Sequence, residues 1–411
     1  MRMAKRLLLA PALGLTLLGC GPDATPAPAT PPSLTGDPAA GSAGLPNVRV
    51  APVLITGYTA TELAAEFERA RSLLLVDRFA DAAVVFDRLR LLGKGRELGA
   101  PSVYNAGLSY EGLGDLGRAL ERYRELWTEY PTSSVTVGGL VRLTRLLGYL
   151  EQWTELGLTA RRLLDREQDL SVMDQIEALG AEALGLVELG QVAEAEPLVV
   201  KGLALVEAHR FGEAGSPPLQ LAQLSFAHGE IRRLRSEQIH LVPVPPNFTE
   251  VLEQRCQRLL EAQSAYTDAM RSRDAHWSAM SGYRVGQLYQ QLHTEAMQIP
   301  TPTTATTPRA KQLFEGAMRL RYRILLEKGL KMMDATVRLG ERTGEASPWV
   351  ARARQAKGEL ERAIADEKAA LALLPFTEAQ LQAALDDLKA RAKPDTPKPP
   401  GPTPHGAGSE H

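Results

Sequence analysis

The sequence is poor in the residues that mark metal-binding, disulfide-bonded and many catalytic proteins. Its 411 residues include only 2 cysteines, Cys20 and Cys256, which are too few for a disulfide framework or a zinc site built on paired cysteines. The motifs H-E-x-x-H, G-x-S-x-G and G-x-x-x-x-G-K-[ST] do not occur, and the 7 histidines are scattered. We therefore expect no metal, no cofactor and no enzymatic activity.

Aromatic residues and net charge are also scarce. Aromatics make up 5% of the chain, and 47 basic residues are balanced by 49 acidic residues for a formal net charge of -2. A chain with no basic excess has no field to collect phosphates, so nucleic acid is excluded as an expected partner. The abundance of alanine, leucine, arginine and glutamate indicates an all-α protein rather than a sandwich of strands.

One uncharged, largely apolar run stands at the N-terminus. Residues 7–18 follow a basic start and are too few to span a bilayer. The run leads into "LLGC", ending at Cys20, which resembles the lipobox of bacterial lipoproteins. The resemblance implies a signal peptide over residues 1–19 and lipidation of the Cys20 thiol. Because Gly21 rather than aspartate follows, it also implies a lipid-anchored outer-membrane protein that faces the periplasm; an ordinary signal peptide with an incidental cysteine is the alternative.

Both ends of the mature chain have compositions that cannot support a packed core. Residues 20–57 are rich in proline, alanine, glycine and threonine without a period, and residues 393–411 have a similar composition. Such segments bury too little apolar surface to offset the entropy of folding. We predict a lipidated, disordered, proline-rich tether over 20–57 and a disordered tail over 393–411.

Between these ends the apolar pattern is helical and repeats. The segments "DRFADAAVVF", "GDLGRALERY", "EQWTELGLTA" and "GQVAEAEPLV" align on Phe79, Leu116, Trp153 and Val192, which are spaced close to 37 residues apart. A period of this size is typical of stacked helix-turn-helix units. The first glycine-rich stretch, "GLGDLG" at 112–117, matches G-x-G-x-x-G, but the pattern before it is helical, so we interpret it as a turn and not a dinucleotide-binding loop.

The second unit resembles a tetratricopeptide repeat (TPR). Its residues match the family's small, aromatic, turn and closing-proline positions at fixed offsets, namely Gly107, Tyr110, Gly114, Ala119, Tyr123 and Pro131. The resemblance implies an all-α, TPR-type helix-turn-helix solenoid with disordered N- and C-terminal tails. We place TPR-like repeats at 58–215 and an irregular TPR-like helical region at 216–392, where "IPTPTTATTP" interrupts one unit.

In the TPR family the first helices of the pairs line a groove that takes a partner's peptide or helix. Carried over position by position, the resemblance implies that six residues face this groove: Phe67, Arg71, Tyr104, Asn105, Leu108 and Arg145. Asn105 stands where the family often holds a ligand's backbone. For each residue the alternative is an ordinary surface position.

A further resemblance covers residues 217 to about 365 and rests on short stretches and their order in the sequence, including "HGEIRRLRSEQI" and "HWSAMSGYRVGQLY". These stretches resemble repeat lipoproteins of myxobacterial envelopes, some of which belong to the gliding (adventurous) motility machinery. The resemblance implies a scaffold that binds envelope proteins. Two alternatives stay open: an outer-membrane assembly or pilotin-type lipoprotein for barrels or secretins, and an envelope enzyme with an unrecognised site.

Three smaller features have structural interpretations. We predict that Cys256 is a buried, inert thiol, that His276 and His293 are packed or half-exposed residues rather than ligands, and that the arginines of "RLRYR" at 319–323 form a solvated face.

Overall fold

The computed structural model describes residues 58–384, apart from 214, 216 and 304. The predicted signal peptide, the tether with Cys20, and the C-terminal tail lie outside these residues. The described part contains thirteen α-helices, with residues 378–384 helical as well: α1 Ala60–Leu75, α2 Phe79–Leu92, α3 Gly99–Gly112, α4 Leu116–Glu129, α5 Thr136–Tyr149, α6 Trp153–Leu164, α7 Val172–Glu188, α8 Val192–Ala208, α9 Leu221–Glu237, α10 Phe248–Arg271, α11 Ala275–Met297, α12 Pro308–Thr343 and α13 Pro348–Ala372.

The helices form a solenoid in which each packs mainly against its neighbours in the sequence. No residue that the structure describes is in a β-strand, so the prediction of an all-α helix-turn-helix solenoid is confirmed. The predicted division at 215/216 falls between α8 and α9. In this same part of the chain, no helix is long and apolar enough to cross a membrane.

Local sequence explains where many helices begin. Thr59 and Glu62 form a reciprocal capping box at the start of α1, and the side chains of Asp115, Asp274 and Thr307 each accept a hydrogen bond from a backbone N–H in the first turn of α4, α11 and α12. These caps satisfy N–H groups that have no partner inside the helix.

The first four helix pairs share one turn geometry. The aligned residues Phe79, Leu116, Trp153 and Val192 are the first residues of α2, α4, α6 and α8, which confirms the predicted register. Two positions before each lies a residue with positive φ: Asp77 (59°), Gly114 (74°), Glu151 (56°) and Gly190 (80°).

Each of these turns closes in the same way. The backbone N–H of the residue after the positive-φ position donates to a carbonyl five residues back, as from Asp115 to Tyr110 and from Gln152 to Leu147, both at 2.9 Å. This is the Schellman motif, which reverses the chain at the end of a helix. The "GLGDLG" stretch belongs to it: Gly112 ends α3 and Gly114 takes the left-handed position, as the interpretation of a turn required.

The TPR-like residues of the second unit pack as the pattern predicts. A Cβ on Gly107 would lie 2.5 Å from the fully buried Tyr123 ring, so only glycine lets α3 approach α4 this closely. Ala119 is fully buried, and α4 ends at Glu129, two residues before Pro131. A proline there cannot continue the helix.

The C-terminal half is built from longer helices. α10, α11, α12 and α13 span 24, 23, 36 and 25 residues, and α9 packs more extensively on α7 than on its sequence neighbour α8. One apolar core nevertheless runs from Ala83 to Val350. The array curls so that the α5–α6 turn contacts the start of α13, where Nε1 of Trp349 donates to Oε1 of Glu151 at 2.8 Å.

Candidate functional site

Of the six predicted groove residues, the two on α1 have different surroundings. The Phe67 side chain is 8% exposed and packs edge-on against Phe86, with ring centroids 5.5 Å apart. It contributes to the separate apolar core of the first helix pair. Arg71 is exposed and pairs with Glu68 at 3.0 Å on its own helix. A partner at this end could reach Arg71 more readily than Phe67.

The three residues on α3 are half-buried. Tyr104 packs beside Tyr123 and lies 3.4 Å from Nε of Arg142, which donates to its hydroxyl. Nδ2 of Asn105 donates to the carbonyl of Pro101 at 2.8 Å, so one of its two amide donors serves its own helix. Leu108 is partly exposed. Binding by these residues stays a prediction.

Arg145, on α5, is held by an ion pair within the chain. Its Nε and Nη2 donate to the two carboxylate oxygens of Glu177 on α7 at 2.8 and 2.7 Å. These bonds raise the pKa of the Arg145 guanidinium above its ordinary value, despite the opposing effect of burial. A ligand would have to share Glu177 or replace it.

The structure reveals a second surface that the sequence did not indicate. A cavity of about 290 Å³, here called the tryptophan pocket, opens between the α5–α6 turn, the end of α7, α11 and the start of α13. It is lined by Glu151, Trp153, Glu188, Tyr283, Arg284, Gln287, Trp349 and Arg352. Carboxylates, guanidinium groups and aromatic rings thus meet in one opening.

A second cavity adjoins the first. The glutamine pocket has a volume of about 410 Å³, lies between α9 and α11, and shares Arg284 and Gln287 with the tryptophan pocket. Its lining is Arg233, Glu237, Arg284, Gln287, Leu288, Gln290, Gln291 and Thr294. The two cavities lie side by side along α11, and together they are here called the double pocket.

Trp349 forms the wall of the tryptophan pocket. Its side chain is buried, with the guanidinium of Arg352 4.4 Å and that of Arg284 5.3 Å from the ring centroid. The Tyr283 ring meets it edge-on at 5.5 Å, and its N–H is satisfied by Glu151. The indole N–H thus has a hydrogen-bond acceptor, as is usual for a buried tryptophan, and the two guanidinium groups make favourable cation–π contacts with the ring.

Arg284 is fixed from behind by a fully buried carboxylate. Glu230 accepts from the Tyr266 hydroxyl and from Nη2 of Arg233, both at 2.6 Å, and its Oε1 lies 2.8 Å from Nε of Arg284. Burial alone would raise the pKa of Glu230, but Arg284 and Arg233 outweigh it and hold that pKa below its ordinary value. The Arg284 guanidinium thus lies in the wall of the pocket, paired by charge with Glu230, while its Nε forms no hydrogen bond with any described residue.

Glu188 differs from the other charged groups of the pocket. It forms no ion pair with any residue that the structure describes. Its side chain is exposed at the rim of the pocket. Desolvation and the nearby Glu230 carboxylate raise the pKa of the Glu188 carboxyl above its ordinary value, Arg284 and Arg233 oppose this, and Glu151 raises it slightly further. The pocket therefore holds carboxylates that repel one another without a dedicated counter-ion for Glu188.

The remaining predicted features have structural roles. Arg319 pairs with Glu367, and Arg323 with Glu327 and Glu378. The side chains of Arg319 and Arg323 stay 35% and 25% exposed, so the face predicted for "RLRYR" is partly solvated and its arginines are paired within the chain. His276 and His293 are buried at 8% exposure each. Burial raises the pKa of the half-buried Cys256 thiol, and the described residues hold no cluster suited to a metal ion.

Sequence reasoning missed the double pocket because its parts are far apart in the chain. Glu151 and Trp349 are 198 positions apart; Glu151 lies in one of the aligned turns, but the repeat pattern does not indicate a role for its side chain. Only the glutamines of α11, which recur at 287, 290 and 291 in one helix, share a local pattern.

Comparison with known proteins gives limited similarity. No protein-family model and no curated protein matches the sequence. A solved structure, that of a tetratricopeptide repeat protein from Parabacteroides merdae ATCC 43184, is 13% identical with a TM-score of 0.37 and covers 71% of this chain and 98% of that chain. The TPR-type solenoid is accordingly assigned from the helix pairs and repeated turns themselves.

Proposed function

We propose that the protein is a non-enzymatic scaffold that binds protein partners on the surface of its solenoid. The observation that carries this proposal is the double pocket, an open depression that runs along α11 and is shared by residues of α7, α9 and α13. A depression spread over several helices suits an extended segment of another protein, since repeat arrays distribute their contacts over many units. The predicted groove residues other than the buried Phe67 are at least partly exposed and offer a second surface for the same role.

The proposed location is the cell envelope. "LLGC", ending at Cys20, supports a lipid anchor in the outer membrane, with the body facing the periplasm at the end of the 20–57 tether. Two or three acyl chains, at about 0.8 kcal/mol per buried methylene, would make the attachment effectively permanent. Replacement of Cys20 by alanine tests this directly. We expect membrane fractionation to find the variant unprocessed or released into the soluble fraction, and full retention in the outer membrane would contradict the anchor.

The finer assignment is to a gliding-motility complex. It is supported by the likeness of residues 217–365 to myxobacterial repeat lipoproteins, and a role in assembling barrels or secretins is the alternative within the same envelope class. A chromosomal deletion separates them. Loss of single-cell gliding with normal outer-membrane protein content favours motility, whereas depletion of barrels or secretin multimers favours assembly.

Partner binding is tested by site-specific photo-crosslinking of the full-length, lipidated chain in its native envelope. The photoreactive residue p-benzoylphenylalanine would replace Asn105 on α3, Thr294 in the glutamine pocket, or, as a control, Arg69, which is exposed on α1. We expect Asn105 or Thr294 to give a defined adduct with another envelope protein and Arg69 to give none. Absence of any specific adduct from both Asn105 and Thr294 would contradict the scaffold proposal.

A further inference from the structure

The linings of the double pocket hold three carboxylates, those of Glu151, Glu188 and Glu237, and three guanidinium groups, those of Arg233, Arg284 and Arg352. A fourth carboxylate, that of the fully buried Glu230, lies directly behind Arg233 and Arg284. One negative charge is left over. Glu230, Arg233 and Arg284 are committed to one another behind the wall, so the excess is expressed at Glu188 and Glu151.

Neither of these two carboxylates is used up by the fold. Glu151 accepts one hydrogen bond, from Trp349, through Oε1 alone, and Glu188 forms no bond with the described residues. Arg352 does not neutralise them by pairing, because it lies over the Trp349 ring and forms no ion pair within 58–384. A cation that entered the pocket would relieve the repulsion between the carboxylates.

The walls of the tryptophan pocket suit a cation that carries an aliphatic stem. Trp153 and Tyr283 are half-exposed beside the carboxylates. Aromatic faces attract guanidinium and ammonium groups, and a methylene chain covers apolar ring surface while its charged end reaches the carboxylates. A bare metal ion would gain nothing from these rings.

The glutamine pocket supplies groups that match a peptide backbone. Gln287, Gln290, Gln291 and Thr294 follow a spacing of three and four residues, which places them on one face of α11. The side-chain amide of Gln290 forms no hydrogen bond within the described residues, whereas Gln287 is bonded to Tyr283 and Arg284. A free amide offers both a donor and an acceptor, the pair that one peptide unit requires.

We infer that the double pocket binds an extended segment of a partner protein, with an arginine or lysine side chain in the tryptophan pocket against Glu188 and Glu151 and with the neighbouring backbone along Gln290 and Gln291. The inference rests on the proposed scaffold function and specifies the chemistry of the partner. The two cavities adjoin through Arg284 and Gln287, so one continuous segment can occupy both.

The test uses short peptides of defined charge and the full-length lipidated protein in detergent. The probe is the pentapeptide acetyl-Gly-Gly-Arg-Gly-Gly-amide, compared with the same peptide carrying citrulline, a neutral isostere of arginine, and with free argininamide. Binding is measured by isothermal titration at low salt. We expect the citrulline peptide to bind at least tenfold more weakly than the arginine peptide, and argininamide to bind more weakly than the peptide.

Variants locate the site. Glu188→Gln is expected to weaken the arginine peptide at least fivefold, whereas Glu341→Gln, at an exposed carboxylate of α12, should leave it unchanged. Because Glu188 lies at the rim and holds no partner in the fold, the substitution should not alter the circular dichroism or the melting temperature. Gln290→Ala is expected to weaken the peptide but not argininamide.

Several outcomes would overturn the inference. These are equal binding of the arginine and citrulline peptides, no effect of Glu188→Gln, or argininamide that binds as tightly as the peptide, which would indicate a site for small cations. Photo-crosslinks from Thr294 that persist undiminished in Glu188→Gln would likewise reject a basic anchor while leaving the scaffold function intact. If the chain without the Glu188 substitution gives no specific crosslink from either Asn105 or Thr294, the proposed scaffold function is rejected instead.

Discussion

The two halves of the molecule obtain order in different ways. The helices α1–α8 span 12 to 17 residues and are joined in pairs by the same Schellman turn, whereas α10–α13 span 23 to 36 residues. In the first half, each helix pair is closed by the same turn, which is formed by residues that are neighbours in the sequence. In the second half the turns differ from one another, and fully buried polar side chains such as Glu230 and Arg255 join the consecutive helices α9, α10 and α11.

Charge burial shows the same difference. The ion pair between Arg124 and Glu155 in the first half leaves both side chains about 40% exposed, at 40% and 38%. The first half also buries the carboxylates of Glu177 and Glu182, but their arginine partners stay 28% and 57% exposed. In the second half the side chains of Glu230 and Arg255 are fully buried, and the arginines that pair with Glu230 are less than 20% exposed. A surface pair contributes little, but removing one partner of a buried pair leaves an uncompensated charge. The C-terminal half should therefore be the more sensitive to single polar substitutions.

The largest expected effect is that of Glu230→Ala. It would leave Arg233, Arg284 and the Tyr266 hydroxyl without their shared partner, and we expect a destabilisation of about 3–5 kcal/mol. The measurement is hydrogen–deuterium exchange of α9 and α11. The matched substitution in the first half, Glu155→Ala, should cost at most about 1 kcal/mol, and similar losses from the two would remove the difference between the halves.

Next in size is Gly107→Ala in the repeat array. The added methyl group would lie 2.5 Å from the fully buried Tyr123 ring, and overpacking of this kind costs about 1–3 kcal/mol. Thermal unfolding followed by circular dichroism gives the value. Gly117→Ala is the control, because its Cβ would have no neighbour nearer than 3.8 Å and alanine is the better helix former by up to about 1 kcal/mol. If Gly107→Ala leaves the melting temperature unchanged, α3 and α4 do not pack as closely as the structure indicates.

Acid should act on the C-terminal half through His228. Burial lowers the pKa of His228 to about 4, with a further contribution from Arg232. The unfolded chain holds this histidine at about 6.5, so its stabilising effect is present above pH 6.5 and is lost as the pH falls towards 4. We expect wild type to lose about 1–2 kcal/mol more than His228→Gln between pH 7 and pH 4.5, measured by urea unfolding. Equal losses would mean that His228 protonates freely in the folded protein.

The smallest expected effect concerns the repeated turns. Gly190 has a φ of 80° and nothing within 4 Å of the site where a Cβ would stand, so Gly190→Ala should cost about 1 kcal/mol through backbone strain alone. The reverse change at the equivalent position, Asp77→Gly, should stabilise the first pair by up to about 1 kcal/mol. Both changes in stability are measured by the melting temperature. A shift in the same direction for the two substitutions would contradict the equivalence of the turns.

The sequence alone was sufficient to locate features that depend on neighbouring residues, such as the turns and the first residues of the helices. The alignment on Phe79, Leu116, Trp153 and Val192 found the first residues of four helices because the turn before each is formed by neighbouring residues. It could not show that Glu151 occupies the left-handed position that glycine fills elsewhere, since glutamate rarely adopts that conformation; the aspartate at 77 is among the residues that adopt it more readily.

The candidate sites were less accessible to sequence reasoning. Helical periodicity indicates that Phe67 shares a face with other residues, but whether that face is covered depends on Phe86 of the next helix. The tryptophan pocket is harder still, because Glu151, Glu188, Arg284 and Trp349 belong to four separate helices or turns. Their meeting depends on the curl of the whole array.

The hydrogen bond from Trp349 to Glu151 sets a limit on copy number. Repeat proteins commonly gain or lose whole units, since each unit contacts mainly its neighbours. Here units that precede Glu151 could be added or removed without moving the two sides of the tryptophan pocket relative to each other. One unit more or fewer between Glu151 and Trp349 would carry the indole away from its carboxylate. The number of repeats is therefore free before Glu151 and fixed between Glu151 and Trp349.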